Sequence, residues 1–380
     1  MSTFLLKLVI LMAPWAIAFG LVEAGLRIQQ RFRPVIDLDT ASYVKNFSDR
    51  VHHTRFGKPE FHADWSRHPA GCSGPSLRVL YLGDSWVEEG NFVHSSAEAL
   101  AQSLGRCVEA INGGVKSYSP TPITIVGASL ITRHDPDLVV INIDETDLMD
   151  ETIRYRRGTT FDPAGHPVAV TVSGPERLWL NGLREMDRIP LFTMRAIAKL
   201  YHTQFYIPRA YRLAYPEHRN HDYANLLAPQ LSREPKREFA AEIEYFEQSL
   251  DRMITRFESL GIRPHQILLS HHPHFLGMPQ QGQYQPVVSE SIARVADRRL
   301  VTLLDAAYPA MIQQLWPRDY QKAFLWPQDQ FSHLTPEGYR RFGRAIAPAL
   351  VRLATTLPPA SNGPAGTSHS GTDRATPAPE

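Results

Sequence analysis

The sequence contains no internal repeat, no Walker A loop and no GxGxxG turn. Phosphoryl transfer therefore has no visible machinery in this chain. Its formal net charge is only +1, with 40 Lys and Arg against 39 Asp and Glu. This balance gives no electrostatic reason to expect nucleic acid as a partner. The sequence also predicts no cofactor and no metal ion.

Cysteine is scarce as well, because the 380 residues include only two. Cys72 precedes the first predicted strand and Cys107 begins the second. If these strands are parallel neighbours, the two thiols come close enough for a bridge. A loop thiol and a separate buried thiol are the alternative, and the sequence leaves both open.

The composition is that of a globular protein. With 43% hydrophobic and 21% charged residues, the chain is large enough for one sizeable core. Residues 1–24 are mostly apolar, with Lys7 near the start, and this run has about the length needed to span a bilayer. We expect an uncleaved membrane anchor. A signal peptide cleaved after Ala18 is the alternative.

The stretch from Leu77 to Trp86 predicts a buried strand that runs into a tight turn. Its apolar residues are typical of a central strand covered on both faces, and Gly83 loosens the backbone at the carboxyl end. Open α/β sheets bind their ligands at that end. Ser85 is therefore a candidate nucleophile, but a serine needs a histidine base and hydrogen-bond donors for the developing oxyanion.

Four short motifs occur in a fixed order along the chain. They are Gly83-Asp84-Ser85, Asn112-Gly113-Gly114-Val115, Asp144-Glu145-Thr146-Asp147, and the segment from Asp329 to Gly338 that contains His333. In order and spacing, over roughly residues 77–355, they resemble the SGNH (GDSL-type) hydrolase superfamily. The resemblance implies a flavodoxin-like α/β fold, a three-layer αβα sandwich with a mostly parallel five-stranded sheet.

The same resemblance implies a serine mechanism. Ser85 would be the nucleophile and His333 the general base, in a loop before the last helix. The family's orienting acid stands three residues before its histidine, where this chain has Gln330. Asp329, one residue earlier, is the candidate acid, and a dyad that leans on a backbone carbonyl is the alternative.

The implied oxyanion donors are the backbone N–H groups of Ser85 and Ser117 and the hydroxyl of Thr146. The family usually has glycine at the Ser117 position and asparagine at the Thr146 position. An alternative register that uses Asn142 is rejected, because that residue lies inside the third strand. The supporting residues of these motifs are Asp84, Asn112 and Asp147.

Two other clusters suggest metal sites but favour other roles. Asp144, Asp147 and Asp150 are typical of helix starts, where carboxylates accept backbone hydrogen bonds. His271 and His272 alternate along a strand and should point to opposite faces, and Pro273 separates them from His274. We expect one of these histidines at the rim of the substrate site rather than on zinc.

The predicted domains are an anchor at 1–24, a connecting segment at 25–76, the hydrolase-like domain at 77–355 with an insertion at about 159–235, and a disordered tail at 356–380. Arg27, Arg31 and Arg33 after the apolar run favour a cytoplasmic body, whereas the resemblance implies a periplasmic or other extracytoplasmic one. We expect export to the extracytoplasmic side, with the anchor in the membrane or, if the signal is cleaved, with a soluble periplasmic domain.

The predicted function is that of a serine esterase acting on an O-acylated polysaccharide or other cell-envelope ester. The expected partner is thus an O-acylated glycan or a small ester. An O-acyltransferase that uses the same site is one alternative. A non-catalytic glycan-binding relative is the other, and it is motivated by Ser117, Thr146 and the displaced acid.

Overall fold

The structure is a computed structural model. It describes residues 3–32, 76–115, 118–144, 146–170, 185–186, 188–206, 209, 240–272, 287–305, 325–326 and 329–357. Cys72, Lys116, Ser117, most of the predicted insertion between 171 and 239, His274 and the predicted tail beyond 357 lie outside the described residues.

The described strands are β1 (Leu77–Gly83), β2 (Val108–Gly114), β3 (Leu138–Ile143), β4 (Thr159–Phe161), β5 (Pro167–Val170), β6 (Ile267–His271), β7 (Thr302–Asp305), β8 (Leu325–Trp326) and β9 (Asp329–Leu334). Five of them form one parallel sheet in the order β2-β1-β3-β6-β7. The pairs β4-β5 and β8-β9 are separate antiparallel hairpins. The strand order reverses beside β1, so the switch point at which such sheets bind ligands lies at its carboxyl end.

The described helices are α1 (Thr3–Phe32), α2 (Ser85–Glu88), α3 (Asn91–Leu104), α4 (Pro120–His134), α5 (Thr146–Met149), α6 (Phe192–Tyr201), α7 (Ala240–Ser259), α8 (Val287–Arg299) and α9 (Pro336–Thr356). A π-helical segment, Asp150–Tyr155, continues from α5, and a second one, His202–Tyr206, continues from α6.

The sheet is buried between two helical layers. On one face, apolar side chains of β1, β2 and β3 pack with those of α2, α3 and α9. On the other face, strand residues pack with α4, α7 and α8. All six residues of β3 are buried, as expected for a central strand covered on both sides. The predicted three-layer fold with a five-stranded sheet is confirmed.

Helix α9 begins as its sequence predicts. The Thr335 side chain accepts a hydrogen bond from the N–H of Gly338 at 3.3 Å, and Pro336 occupies the first helical position, where the missing N–H costs nothing. The predicted stripe is buried against α3; its members are Tyr339, Phe342, Ile346 and Leu350. The apolar period of this segment is therefore enough to place its helix against the core.

The sequence predicts that His333 lies in a loop, but the residue lies in strand β9. This strand pairs with β8 through Leu325 opposite Leu334 and Trp326 opposite Asp329, with a register shift between the two pairs. Antiparallel pairing satisfies backbone groups that a free loop would leave to water. The backbone at His333 is thus held by a hairpin that the sequence pattern did not reveal.

Helix α1 extends to Phe32, beyond the predicted boundary at residue 24. Its one acid, Glu23, accepts hydrogen bonds from the N–H groups of Phe192 and Thr193 at 2.9 and 2.7 Å, at the start of α6. Burial raises the pKa of Glu23, but these bonds, the Thr193 hydroxyl and Arg27 together lower it to about 2. Glu23 therefore joins α1 to the described part of the insertion as a charged helix cap.

No helix in the described ranges combines the length and the apolarity that a membrane crossing requires. The transmembrane anchor predicted for residues 1–24 stays a prediction.

Cys107 precedes β2, is buried and is disulfide-bonded. No described cysteine has a free thiol. Because Cys107 is disulfide-bonded, the alternative of a buried free thiol at this residue is wrong. Cys72, the other half of the predicted pair, lies outside the described residues.

Candidate active site

The turn that carries Ser85 connects β1 to α2. Asp84 precedes the helix, and its Oδ1 accepts a hydrogen bond from the N–H of Trp86 at 2.9 Å. Ser85 is the first residue of the helix, where backbone N–H groups have no acceptor within the helix itself. Gly83 is required here, because a Cβ at this position would lie 2.7 Å from Cγ2 of Val87 and 2.9 Å from the carbonyl oxygen of Asn142.

The structure brings Ser85 and His333 together. The Nε2 atom of His333 lies 2.9 Å from Oγ of Ser85, within hydrogen-bond distance. His333 is half-buried. The distance between these two atoms is the one that a nucleophile and its general base need.

Asp329, the predicted orienting acid, begins β9, and its backbone pairs with Trp326. The side chain of Asp329 lies outside the described residues. Its contact with His333 therefore stays a prediction.

The second motif is tied directly to the nucleophile helix. Asn112 donates from Nδ2 to the carbonyl of Val87 at 2.8 Å and accepts the N–H of Gly114 on Oδ1 at 2.9 Å. Gly114 itself lies so close to α2 that a Cβ would be 2.5 Å from Cβ of Val87 and would also clash with the N–H of Glu88. The predicted supporting residue Asn112 thus fixes α2 against the end of β2. Ser117, the predicted second oxyanion donor, lies outside the described residues.

Glu151, a buried residue that the sequence did not single out, holds the start of α4, which follows the second motif. Glu151, in the π-helical segment, accepts hydrogen bonds from the Ser119 hydroxyl at 2.7 Å, the Thr121 N–H at 2.9 Å and the Thr121 hydroxyl. These donors surround the start of α4. The one available signal was the Ser119-Pro120 helix start, which does not say where in the chain its acidic partner lies.

The third motif forms a reciprocal cap. Asp144 donates its N–H to Oδ2 of Asp147 at 3.0 Å, and Asp147 donates its N–H to Oδ1 of Asp144 at 3.2 Å. The predicted capping role of these aspartates is confirmed. Thr146 is the first residue of α5, but its side chain is outside the described residues, so its role as oxyanion donor stays a prediction.

Asn142, the rejected alternative donor, is completely buried. Its Nδ2 lies 2.7 Å from Nδ1 of His272. The Asn142 side chain therefore bonds to His272 in the protein interior, below the edge at which Ser85 emerges.

The site carries a concentration of buried carboxyl groups. Burial, and then the negative charge of Asp144, raises the pKa of Asp84 and that of Asp147 well above the ordinary value for aspartate. Asp150 is buried as well and pairs with Arg154 at 2.9 Å. Neutral carboxyls are favoured here because several charges cannot be desolvated close together.

His271 and His272 point to opposite faces of the sheet, as predicted. Nδ1 of His271 lies 2.8 Å from Oγ of Ser289 in α8, whereas His272 stacks on Trp86 in α2. Both histidines are completely buried, so the expectation that one of them lies at the substrate rim is wrong for these two residues. The adjacent pair cannot share one zinc ion, because its rings lie on different faces.

Asp84, Asp144 and His272 each offer one ligand-type atom, and these atoms lie within 4.8 Å of one another. Two carboxylates and an imidazole are a donor set that a divalent cation can use.

No family model matches the chain, and no curated protein matches it either. Among solved structures, the chain is similar to a lipase/acylhydrolase from Enterococcus faecalis, with 12% identity, a TM-score of 0.39, and 72% of this chain and 95% of that chain covered. It is also similar to an acetylxylan esterase from Geobacillus stearothermophilus, crystallised as a catalytic mutant, with 13% identity, a TM-score of 0.38, and 74% and 94% covered. At these identities and TM-scores the solved structures carry no functional argument.

Proposed function

We propose that this protein is a serine esterase that hydrolyses acyl esters. The observation that carries the proposal is the 2.9 Å contact between Oγ of Ser85 and Nε2 of His333, at the carboxyl edge of the parallel sheet. A serine hydroxyl becomes a useful nucleophile only when an adjacent base takes its proton. The rest of the turn places the serine at the start of a helix, where N–H groups face outward.

The proposed reaction has two stages. His333 takes the proton of Ser85 while Oγ attacks the ester carbonyl carbon, and the imidazolium then protonates the departing alcohol. In the second stage His333 deprotonates water, which attacks the acyl-enzyme and releases the acid, and the proton returns to Ser85. Atoms and charges balance without any further reactant.

The carbonyl oxygen becomes negative in both stages and needs donors. We assign this task to the N–H groups of Ser85 and Ser117 and to the hydroxyl of Thr146, as the resemblance to SGNH hydrolases implies. The backbone of Ser85 and that of Thr146 each begin a helix at the ends of neighbouring strands, β1 and β3. That placement supports the assignment, because both helix starts lie at the same edge of the sheet.

We propose an O-acylated polysaccharide or another cell-envelope ester as the substrate, with hydrolysis as the outcome. The support is the resemblance carried by the four motifs. An extracytoplasmic location fits the disulfide at Cys107, because disulfides persist in oxidising compartments. Location is tested by adding protease to intact spheroplasts and detecting the domain.

Covalent capture by a fluorophosphonate tests the function. The full-length protein should be labelled at one serine and should hydrolyse a short-chain nitrophenyl ester, and peptide mapping should place the label on Ser85. A purified, folded protein without labelling and without turnover would contradict the esterase and favour the glycan-binding alternative.

The acyltransferase alternative needs a separate measurement. An acyl donor is supplied with and without a glycan acceptor, and the products are free acid and acylated glycan. Free acid in both reactions supports the esterase. Preferential transfer to the glycan would replace hydrolysis by transfer on the same serine.

A further inference from the structure

His272 contacts the nucleophile helix from inside the protein. Its imidazole stacks on the indole of Trp86, with ring centroids 3.8 Å apart and an interplanar angle of 24°. Trp86 directly follows Ser85 in α2, and both rings are buried, at 0% and 1% exposure. A movement of His272 would therefore be transmitted to the residue next to the nucleophile, since packed interiors leave no free space to absorb it.

Polar contacts hold His272 itself. Nδ1 lies 2.7 Å from the Asn142 amide nitrogen on β3, and Nε2 lies 3.4 Å from Oδ2 of Asp144, just after β3. Because the amide nitrogen is a donor, Nδ1 is the accepting nitrogen, and the ring proton then resides on Nε2, facing the carboxylate. The Asn142 contact fixes the tautomer of the ring, and the carboxylate of Asp144 is the charged neighbour of its Nε2 side.

Trp86 is also in contact with the helix that follows the base. Its ring meets Tyr339 and Phe342 of α9 edge to face, at 5.4 Å in each case. Helix α9 starts three residues after His333. Trp86 of α2 thus contacts both His272, at the end of β6, and helix α9, which follows His333.

His272 also reaches the third motif. Asp144, which faces Nε2, exchanges two hydrogen bonds with Asp147 across the turn that carries Thr146. The same side chain therefore contacts the nucleophile helix on one side and the turn of the third proposed donor on the other.

We propose that His272 is a positioning residue for the reaction of Ser85. Held by Asn142 and Asp144, it fixes Trp86 and thereby sets the position of Ser85 relative to His333 and the Thr146 turn. The inference rests on the proposed serine mechanism. Reaction rates are sensitive to such placement, because a misplacement of about 1 Å can cost about 10²-fold in rate.

The test compares two adjacent histidines in the full-length protein. His272→Leu removes the ring and its polar contacts, and His272→Phe keeps a ring for the stack. His271→Leu is the matched control, because His271 is equally buried but faces Ser289 on the opposite side of the sheet. The measurements are kcat and KM for a nitrophenyl ester, the rate of fluorophosphonate labelling, and thermal stability.

We expect His272→Leu to lower kcat about 10²-fold and the labelling rate in parallel, with KM nearly unchanged. His272→Phe should recover part of that loss. His271→Leu should lose comparable stability while keeping kcat close to the wild-type value. A merely structural role would change stability in both proteins but would leave kcat of the folded fraction alone.

Equal kcat in His272→Leu and His271→Leu would overturn the positioning role. If His272→Leu does not fold, His272→Phe decides, because a kcat equal to that of the wild type would contradict the proposal. Failure of the esterase itself looks different, since wild-type protein would then show no labelling and no turnover that depends on Ser85, and the positioning role would fail with it.

Discussion

Ser85 and His333 are separated by 248 positions in the chain, yet Oγ of one lies 2.9 Å from Nε2 of the other. Neither residue is held by its own segment alone. Asp84 and Asn112 fix the helix that begins with Ser85, and a hairpin holds His333. The contact is therefore a product of the whole carboxyl edge of the sheet.

The first prediction concerns the nucleophile. Ser85→Ala should abolish ester turnover and fluorophosphonate labelling, because no other group takes over the attack on the carbonyl. Its thermal stability should stay near that of the wild type, since the substitution removes a partly exposed hydroxyl and opens no core cavity.

Ser103→Ala is the control for this experiment. Ser103 lies on the exposed side of α3, where its hydroxyl bonds the carbonyl of Ala99. Normal turnover in Ser103→Ala and none in Ser85→Ala is the expected pair. Activity in purified Ser85→Ala would refute the mechanism.

The second prediction tests the third oxyanion donor. Thr146→Val keeps the shape of the side chain but removes the hydroxyl, so kcat should fall by about 10² or more with little change in KM. Thr146→Asn supplies the donor that SGNH hydrolases usually have, and kcat should hold or rise.

Thr132→Val, at a hydroxyl that bonds the Ala128 carbonyl on the exposed side of α4, controls for the general effect of the substitution. If Thr146→Val turns over at the wild-type rate, the oxyanion is held by backbone N–H groups without Thr146.

The third prediction concerns the close approach of β2 to α2. A Cβ on Gly114 would lie 2.5 Å from Cβ of Val87, so Gly114→Ala must push α2 away. We expect a loss of about 1–3 kcal/mol in the free energy of unfolding and a fall in kcat, because α2 carries Ser85. Urea denaturation and ester hydrolysis measure the two effects.

Gly25→Ala is the matched substitution in α1, where the added Cβ meets no atom within 4 Å. It should leave kcat unchanged. A fully active and stable Gly114→Ala protein would show that α2 can move without consequence, contrary to this account of the turn.

The fourth prediction concerns pH. Burial and the neighbouring Asp144 raise the pKa of Asp147 in the folded protein, so the folded state binds a proton more tightly than the unfolded state. The contribution of the Asp147 carboxyl to stability is therefore complete below its unfolded pKa of about 3.9, and it is lost as the pH rises through the folded pKa. Asp147→Asn keeps an acceptor for the Asp144 N–H and removes the ionisation.

The Tm of Asp147→Asn should accordingly fall less with rising pH than the Tm of the wild type. Asp135→Asn is the control, because its carboxylate is 90% exposed beside Arg78, and its profile should follow the wild type. Identical profiles for all three proteins would mean that Asp147 is not forced to hold its proton.

The fifth prediction concerns the disulfide of Cys107. Cys107→Ser should reduce the free energy of unfolding by about 2–4 kcal/mol, because a disulfide restricts the unfolded chain. Wild-type protein in reductant should unfold like the variant. Cys72→Ser should match Cys107→Ser, since the chain has only two cysteines. Unfolding that does not respond to reductant would argue against a structural bridge.

Local patterns in the sequence predicted most of the central architecture. The apolar runs of β1 and β3 and the helical stripe of α9 appear where the sequence places them. This succeeds because burial on one or two faces imposes a short period that can be recognised within a single segment. The candidate pair of Ser85 and His333 followed from the resemblance of the ordered motifs to SGNH hydrolases.

Contacts between distant segments were beyond such patterns. Glu23 caps α6 from a position 169 residues away, and Glu151 caps α4 from the π-helical segment. A carboxylate on the surface and one that satisfies a buried helix start look alike in a sequence. Only the neighbours that surround the group distinguish them.

The sequence by itself determined the sheet, its flanking helices and the choice of Ser85 and His333, because periodicity and motif order act along the chain. The tertiary structure decided that His333 stands in a hairpin, that His271 and His272 are both buried, and that His272 meets Trp86. These outcomes depend on which segments pack against each other in space. Burial, hydrogen-bond partners and proton affinity are set by those neighbours and not by the residues adjacent in the chain.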